Sequence, residues 1–349
     1  MDIKKLVRPN IRSLKAYKTK EIPCRVKLDA NESPYSAVSS QRSAISVKNI
    51  FNALNRYPDP EALELRKLVA RGWKVKYGNT LHGNGSDELI YYLIIAFGGP
   101  VLYPVPTFSM YGIIAQALNT KKIEVPLDKD FDLDLGKMLK VIRKDKPKLI
   151  FLASPNNPTG NAFSVDKIEK IIRASKGLVV VDEAYQDYSA KKSFLTLFKK
   201  YNNLVTLRTL SKIGLAGLRT GFIIADTEVI EEVNKVRLPF NLNSLSQKVA
   251  IETLQKKKGM SSSIRSIISE RKRLFKKMQK IGGIDPDPSD ANFILFKVDN
   301  SDNIYKGLLK KQVLIRDMSG TIKNCLRVTV GTPAENSSFL KALKQLLIL

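Results

Sequence analysis

The chain has 349 residues, with 59 Lys+Arg against 33 Asp+Glu for a formal net charge of +26, and a hydrophobic content of 43%. That length suffices to bury the core of one large or two medium domains, and the composition is too apolar for a disordered or fibrous protein. Two cysteines, Cys24 and Cys325, exclude a disulfide framework and a four-Cys metal site, and a single histidine, His82, excludes a paired-His zinc centre.

The first residues, Met-Asp-Ile-Lys-Lys, carry charge but no apolar signal core, and the longest apolar stretch, Leu89 to Phe97, stops at Gly98-Gly99-Pro100. A soluble, cytoplasmic protein with no membrane partner is expected. Residues 1–45 are polar and irregular and read as an N-terminal arm and part of a small domain. Residues 46–240 read as a large domain, and 241–349 as a small C-terminal domain. Alternating short apolar runs and amphipathic stretches predict an α/β protein with a mostly parallel central sheet flanked by helices, plus a smaller α/β domain from both chain ends.

Gly83-Asn-Gly85-Ser86-Asp87-Glu88 is a glycine-rich turn ahead of a helix predicted to begin near Glu88. Its free N–H groups and helix dipole suit a phosphate, although an ordinary capped helix start reads the same way. It lacks the further glycine and lysine of the standard nucleotide fingerprints. Leu149–Ala153, Leu178–Asp182, Leu204–Leu207 and Gly221–Ala225 read as buried parallel strands, with a helix over Val165–Ser175. The chemistry gathers at their ends. Ser154-Pro-Asn156-Asn157-Pro158-Thr-Gly160 is a rigid turn that projects an amide, or a plain Asx-type turn. Asp182 ends a very apolar strand with Tyr185 three residues on, and a carboxylate buried there needs a cationic partner. Thr209-Leu-Ser211-Lys212 follows another run and leads to Gly217-Leu-Arg219.

After Pro239 the pattern turns to long helices, then to strands near Phe293–Val298 and Cys325–Val330. The basic stretch Lys256–Lys280 carries Ile264, Ile267, Ile268, Leu274 and Met278 at helical spacing. That is a solvated helix face rather than a nucleic-acid surface, and no nucleic-acid partner is expected. His82 and Trp73 are assigned to packing.

Lys212, Asp182, Asn157 and the glycine turn together meet the needs of one cofactor, pyridoxal 5′-phosphate: an amine for a Schiff base, an acid against the pyridine nitrogen, a hydrogen bond to the ring oxygen and a phosphate cradle. No metal is implied. At this point the sequence resembles the fold-type I pyridoxal-phosphate-dependent aminotransferases, and within them the histidinol-phosphate aminotransferase family. Leu28-Asp-Ala30-Asn31-Glu32, Asn55-Arg56-Tyr57-Pro58-Asp59, the glycine turn, Pro106-Thr-Phe108-Ser-Met-Tyr111, the 154–160 turn, Asp182-Glu-Ala-Tyr185, Arg208-Thr-Leu-Ser-Lys212 and Cys325-Leu-Arg327-Val-Thr-Val-Gly331 carry the resemblance across nearly the whole chain.

The resemblance implies that the large domain binds the cofactor and that Lys212, Asp182 and Tyr185 are catalytic. Gly85, Ser86, Asp87, Ser211 and Arg219 would hold the cofactor phosphate, Asn157 and Tyr185 its ring oxygen, and Phe108 its face where relatives often carry tyrosine. A homodimer is implied, with Tyr57 reaching the partner's cofactor phosphate. Tyr17, Asn31, Arg316 and Arg327 would meet the substrate. Phe240 stands where a tyrosine occurs in some relatives, which removes one hydroxyl from the phosphate's surroundings. The implied reaction moves the amino group of L-histidinol phosphate to 2-oxoglutarate, giving imidazole acetol phosphate and glutamate in histidine biosynthesis. The alternatives are an aromatic amino acid aminotransferase and a threonine-phosphate decarboxylase of the same fold.

Overall fold

The computed structural model describes residues 7–14, 22–37 and 54–347. After a short strand β1 (Val26–Lys27), the chain builds a seven-stranded sheet from β2 (Thr80–Asn84), β3 (Val101–Val105), β4 (Lys122–Pro126), β5 (Leu149–Ala153), β6 (Leu178–Asp182), β7 (Leu204–Thr209) and β8 (Thr220–Ile224). Their spatial order is β2-β8-β7-β6-β5-β3-β4. The predicted runs therefore are strands, and they are buried on both faces because helices cover both. Leu149, Phe151, Val180, Val205 and Leu207 point to one side with the Ser86–Phe97 helix. Ile150, Leu152, Val179, Val181 and Leu204 point to the other with the Leu135–Asp145 and Val165–Ala174 helices, as the two-residue period of a strand requires.

The expectation of parallel pairing fails at one strand. β8 runs antiparallel to both β7 and β2. A parallel return needs a crossover of about a dozen residues or more, whereas the chain between Thr209 and Thr220 holds only the two short 3-10 turns Ser211–Ile213 and Ala216–Leu218. That tight return brings Lys212 and Arg219 to the same edge.

A second, antiparallel sheet has the order β12 (Arg316–Asp317), β13 (Cys325–Thr329), β10 (Phe293–Val298) and β9 (Ile284–Pro286). The predicted basic helix is present as Lys257–Met278 and buries Ile267, Leu274 and Met278 against this sheet. β1 pairs in parallel with β11 (Val313–Leu314), and Val26 and Leu28 enter the same core, so both ends of the chain build the smaller part. The Ser244–Gln255 helix packs instead with the Leu63–Trp73 helix through Ala250, Ile251, Leu254, Leu65 and Val69. Trp73 meets Phe222 edge-on at 5.4 Å.

His82 lies buried in β2. Burial first, then the charges of Arg237 and Arg66, push its pKa down to about 3, so the imidazole is a neutral core group. Among the described residues no helix is long and apolar enough to cross a membrane.

Candidate active site

A cavity of about 410 Å³ opens between the central sheet and the smaller one. It lies beyond the carboxyl ends of β5, β6 and β7, where open α/β sheets hold ligands. Asn31, Ser86, Asp87, Phe108, Asn157, Asp182, Tyr185, Ser211, Lys212, Arg219, Arg316 and Arg327 all border it. Two described residues singled out in the sequence do not: Gly85, which immediately precedes Ser86, and Tyr57. Tyr57 is 82% exposed and stacks on Phe240 at 4.5 Å, away from this chain's cavity. Tyr17 lies outside the described residues.

One end of the cavity is built for an anion. The helix there begins at Ser86, earlier than the sequence suggested, because Gly85 turns the chain with φ of +86°. A Cβ on Gly85 would sit 2.7 Å from Arg219 Nη2, and one on Gly221 would sit 2.7 Å from the Ser86 nitrogen. Side chains are thus excluded where a ligand must approach main-chain N–H groups. Arg219 Nη1 donates to Ser211 Oγ at 3.4 Å and Nη2 to Asp87 Oδ2 at 3.3 Å. The Thr209 hydroxyl donates to Ser211 Oγ at 3.0 Å, which leaves the serine's own hydrogen to point elsewhere. A guanidinium, a hydroxyl and a helix start on one cradle suit a phosphate.

Asp182 sits deeper, at the end of β6. It accepts from the Tyr111 hydroxyl at 2.8 Å and the Ala184 N–H at 3.1 Å. Among the described residues no lysine or arginine forms an ion pair with it. Burial raises its pKa, opposed by those two hydrogen bonds and the charge of Lys212. A carboxylate so placed fits a cationic ring nitrogen, whose charge would offset the cost of burial.

Lys212 Nζ lies 5.7 Å from the Tyr185 ring centre. The Tyr185 hydroxyl accepts from Asn31 Nδ2 at 3.1 Å, and Asn31 is itself pinned by its N–H to Thr329 Oγ1 at 3.0 Å. Phe108 borders the cavity and meets Tyr111 edge-on at 5.6 Å. An amine, a buried acid, an aromatic face and an anion cradle around one space are what pyridoxal phosphate demands, and the residues present fit it.

The opposite wall comes from the smaller sheet. Arg327 donates through Nη1 to Asn157 Oδ1 and through Nη2 to the Asp29 carbonyl at 3.0 Å, with its guanidinium 5.1 Å from the Phe293 ring centre. Arg316 stands directly across from Arg327 in the β12–β13 register, so both side chains leave the same face. Like charges set opposite each other repel, and an anion between them removes that cost.

Two contributors went unnoticed in the sequence. Tyr111, three residues after Phe108, orients Asp182 and stacks on Phe151 at 4.9 Å. Its place in the aromatic Phe108–Tyr111 pair was the available signal. Asn156, fully buried, holds the turn that presents Asn157: its Oδ1 accepts from the Thr107 hydroxyl at 2.7 Å, and its Nδ2 donates to Thr159 Oγ1 at 2.8 Å.

The family model for aminotransferase class I and II matches residues 25–343. The chain belongs to that family. The histidinol-phosphate aminotransferase of Aquifex aeolicus is 45% identical over 97% of this chain and 98% of its own length. That of a Thermoanaerobacter species is 40% identical over 99% of this chain and all of its own. A crystal structure of histidinol-phosphate aminotransferase from Sinorhizobium meliloti, in complex with pyridoxal 5′-phosphate, shares the fold with a TM-score of 0.87, covering 98% of this chain and 97% of that one at 22% identity. This aminotransferase therefore has the fold-type I architecture and depends on pyridoxal phosphate.

Proposed function

We propose that this aminotransferase moves the amino group of L-histidinol phosphate to 2-oxoglutarate, giving imidazole acetol phosphate and glutamate, as a step of histidine biosynthesis. The observation that carries the reading is the Arg316–Arg327 pair, two cations on one face of the smaller sheet, bordering the same cavity as Lys212 and separate from the Arg219 cradle. A cofactor uses one anion site. A donor with its own dianionic phosphate uses a second, where planar guanidinium groups bind by paired hydrogen bonds. Of the two, Arg327 receives the carboxylate of 2-oxoglutarate in the other half-reaction. The similarity to relatives named for this activity supports the choice of donor.

Bound pyridoxal phosphate supplies an electron sink for charge that develops at the donor carbon. The chain's own groups do the rest. Lys212 Nζ takes the proton from the donor carbon that bears the amino group and returns it on the other side of the transfer. Asp182 keeps a proton on the ring nitrogen, and Tyr111 keeps Asp182 in place. Asn157 and Tyr185 orient the ring oxygen, Phe108 covers the ring face, and Gly85, Ser86, Asp87, Ser211 and Arg219 hold the phosphate.

The reading extends to a cytoplasmic homodimer. Tyr57, Phe240 and Leu238, the last 65% exposed, lie outside the cavity, and a second copy covering them would bring Tyr57 to the partner's phosphate cradle. The proposed domains are 46–240 for the cofactor and 241–349 with the first 45 residues for the small part, the Ser244–Gln255 helix staying with the former by its packing.

Arg316→Gln tests the donor. Kcat/KM for histidinol phosphate should fall about 100-fold, the worth of a charge-assisted pair, while phenylalanine is spared. An equal fall for both donors removes the phosphate assignment.

A further inference from the structure

Tyr188 ends the 3-10 turn Gln186–Tyr188 that follows Tyr185. Its ring is 1% exposed and belongs to the smaller sheet's core, with Leu274, Met278 and Ile294. Its hydroxyl crosses to the other half of the molecule and donates to the main-chain carbonyl of Lys212. Burial holds the phenol well above its ordinary pKa, so it remains a donor. The main-chain carbonyl of Tyr188 accepts from Arg271 Nη1 at 3.1 Å, and the same Nη1 donates to the Ala291 carbonyl at 2.6 Å.

The Lys212 carbonyl needs such a partner. It lies in the single turn Ser211–Ile213, which Gly214 stops with φ of +94°, so no helix continues to supply an N–H. The segment has little freedom on its far side, where a Cβ on Gly214 would come 2.6 Å from the Tyr35 carbonyl. Tyr188 N–H also donates to the Tyr185 carbonyl at 3.0 Å. One residue thus ties together the tyrosine and the lysine that face each other across the cavity, and Arg271 anchors it from behind.

We propose that Tyr188 is a positioning residue for Lys212: its hydroxyl fixes the lysine's main chain, and through it the reach of Nζ, to the core of the smaller sheet. This rests on Lys212 being the reacting amine, not on the identity of the donor. Phenylalanine at this position fills the same volume and leaves the Lys212 carbonyl without its donor, so the lysine gains freedom while the core stays filled. Orientation lost in this way costs rate rather than binding.

The test compares Tyr188→Phe with Ile172→Ala, a core substitution on the far face of the central sheet that lowers stability without approaching the cavity. In the cofactor-loaded enzyme, Tyr188→Phe should lower kcat about tenfold at unchanged KM for the amino donor. In the cofactor-free protein, acetic anhydride labelling read by mass spectrometry should modify Lys212 about threefold faster, relative to surface lysines, than in the unsubstituted chain. Ile172→Ala should change neither. Unchanged Lys212 labelling and kcat in Tyr188→Phe would overturn the proposal, and so would equal changes in both variants, which would mark a loss of stability alone. A wrong donor assignment alters which amine reacts but not the labelling of the cofactor-free protein, so the two failures are distinguishable.

Discussion

Asp182 and Glu183 are adjacent, both buried, and placed in opposite kinds of surroundings. Glu183 faces a region that the fold closes by itself: Arg208 Nη2 lies at 2.9 Å, the Ser193 hydroxyl donates at 2.7 Å and the Phe194 N–H at 2.6 Å. Asp182 faces the cavity with one phenol and one amide donor. Burial pushes both carboxyl groups up, and only at Glu183 does an adjacent guanidinium, that of Arg208, lead the opposing causes. A buried charge whose partners all come from the chain is part of the fold's own structure. One whose partners are incomplete is reserved for a ligand, and the difference separates structure from chemistry one residue apart.

The contrast breaks most visibly at Lys212. Lys212→Ala should reduce turnover by about 10⁴-fold or more while leaving the unfolding midpoint within a few degrees, because the open region contributes to reaction rather than folding. Kcat and a thermal melt on the same preparation check it.

The next effect belongs to a group held neutral by burial and by the neighbouring Arg237 and Arg66 charges. The folded-state pKa of His82, about 3, lies below the ordinary 6.5, so the native state resists protonation that the unfolded chain accepts. Stability is full above pH 6.5 and falls as the pH drops from there toward 3, by up to about 5 kcal/mol. Denaturant titrations across that window should show the slope, and His82→Gln should flatten it.

Arg208→Met opens the closed region. It leaves Glu183 buried and uncompensated and should cost about 4 kcal/mol in urea unfolding, with the electronic spectrum of bound cofactor preserved in the folded fraction.

The smallest effect sharpens the rule at a carboxyl whose neighbouring charge, that of Asp285, is of like sign. Burial first, then Asp285, push Asp287 up to about 6, so its carboxylate is disfavoured in the fold. Its stabilising contribution is present below pH 3.8 and is lost as the pH rises through 6. Asp287→Asn should therefore gain about 1 kcal/mol at pH 8, discounted for partial exposure, and nothing at pH 3.

Much of this was legible in the sequence because three residues proposed to meet the cofactor, Lys212, Asp182 and Asn157, follow apolar runs. Lys212, Asp182 and Asn157 could be placed at the mouth of a sheet before any contact was known, and the basic helix was readable from its apolar spacing. The direction of β8 was not, since an antiparallel return leaves the same apolar pattern as a parallel one; only the shortness of the 210–219 connection betrays it. Tyr111 and Tyr188 were silent for a different reason. Their partners, Asp182 and the Lys212 carbonyl, are distant in the chain, and no local period marks a tyrosine that donates across a fold.

The central claim is that one cavity joins pyridoxal-phosphate chemistry to a second anion site. A single-turnover experiment tests it most directly: the cofactor-loaded protein is mixed separately with histidinol phosphate, phenylalanine and threonine phosphate, and the loss of the cofactor's visible band is followed. Fast conversion to the pyridoxamine form with histidinol phosphate, and slow conversion with the other two, is the predicted result. Faster conversion with phenylalanine would contradict the role given to Arg316 and Arg327 and make the enzyme an aromatic aminotransferase.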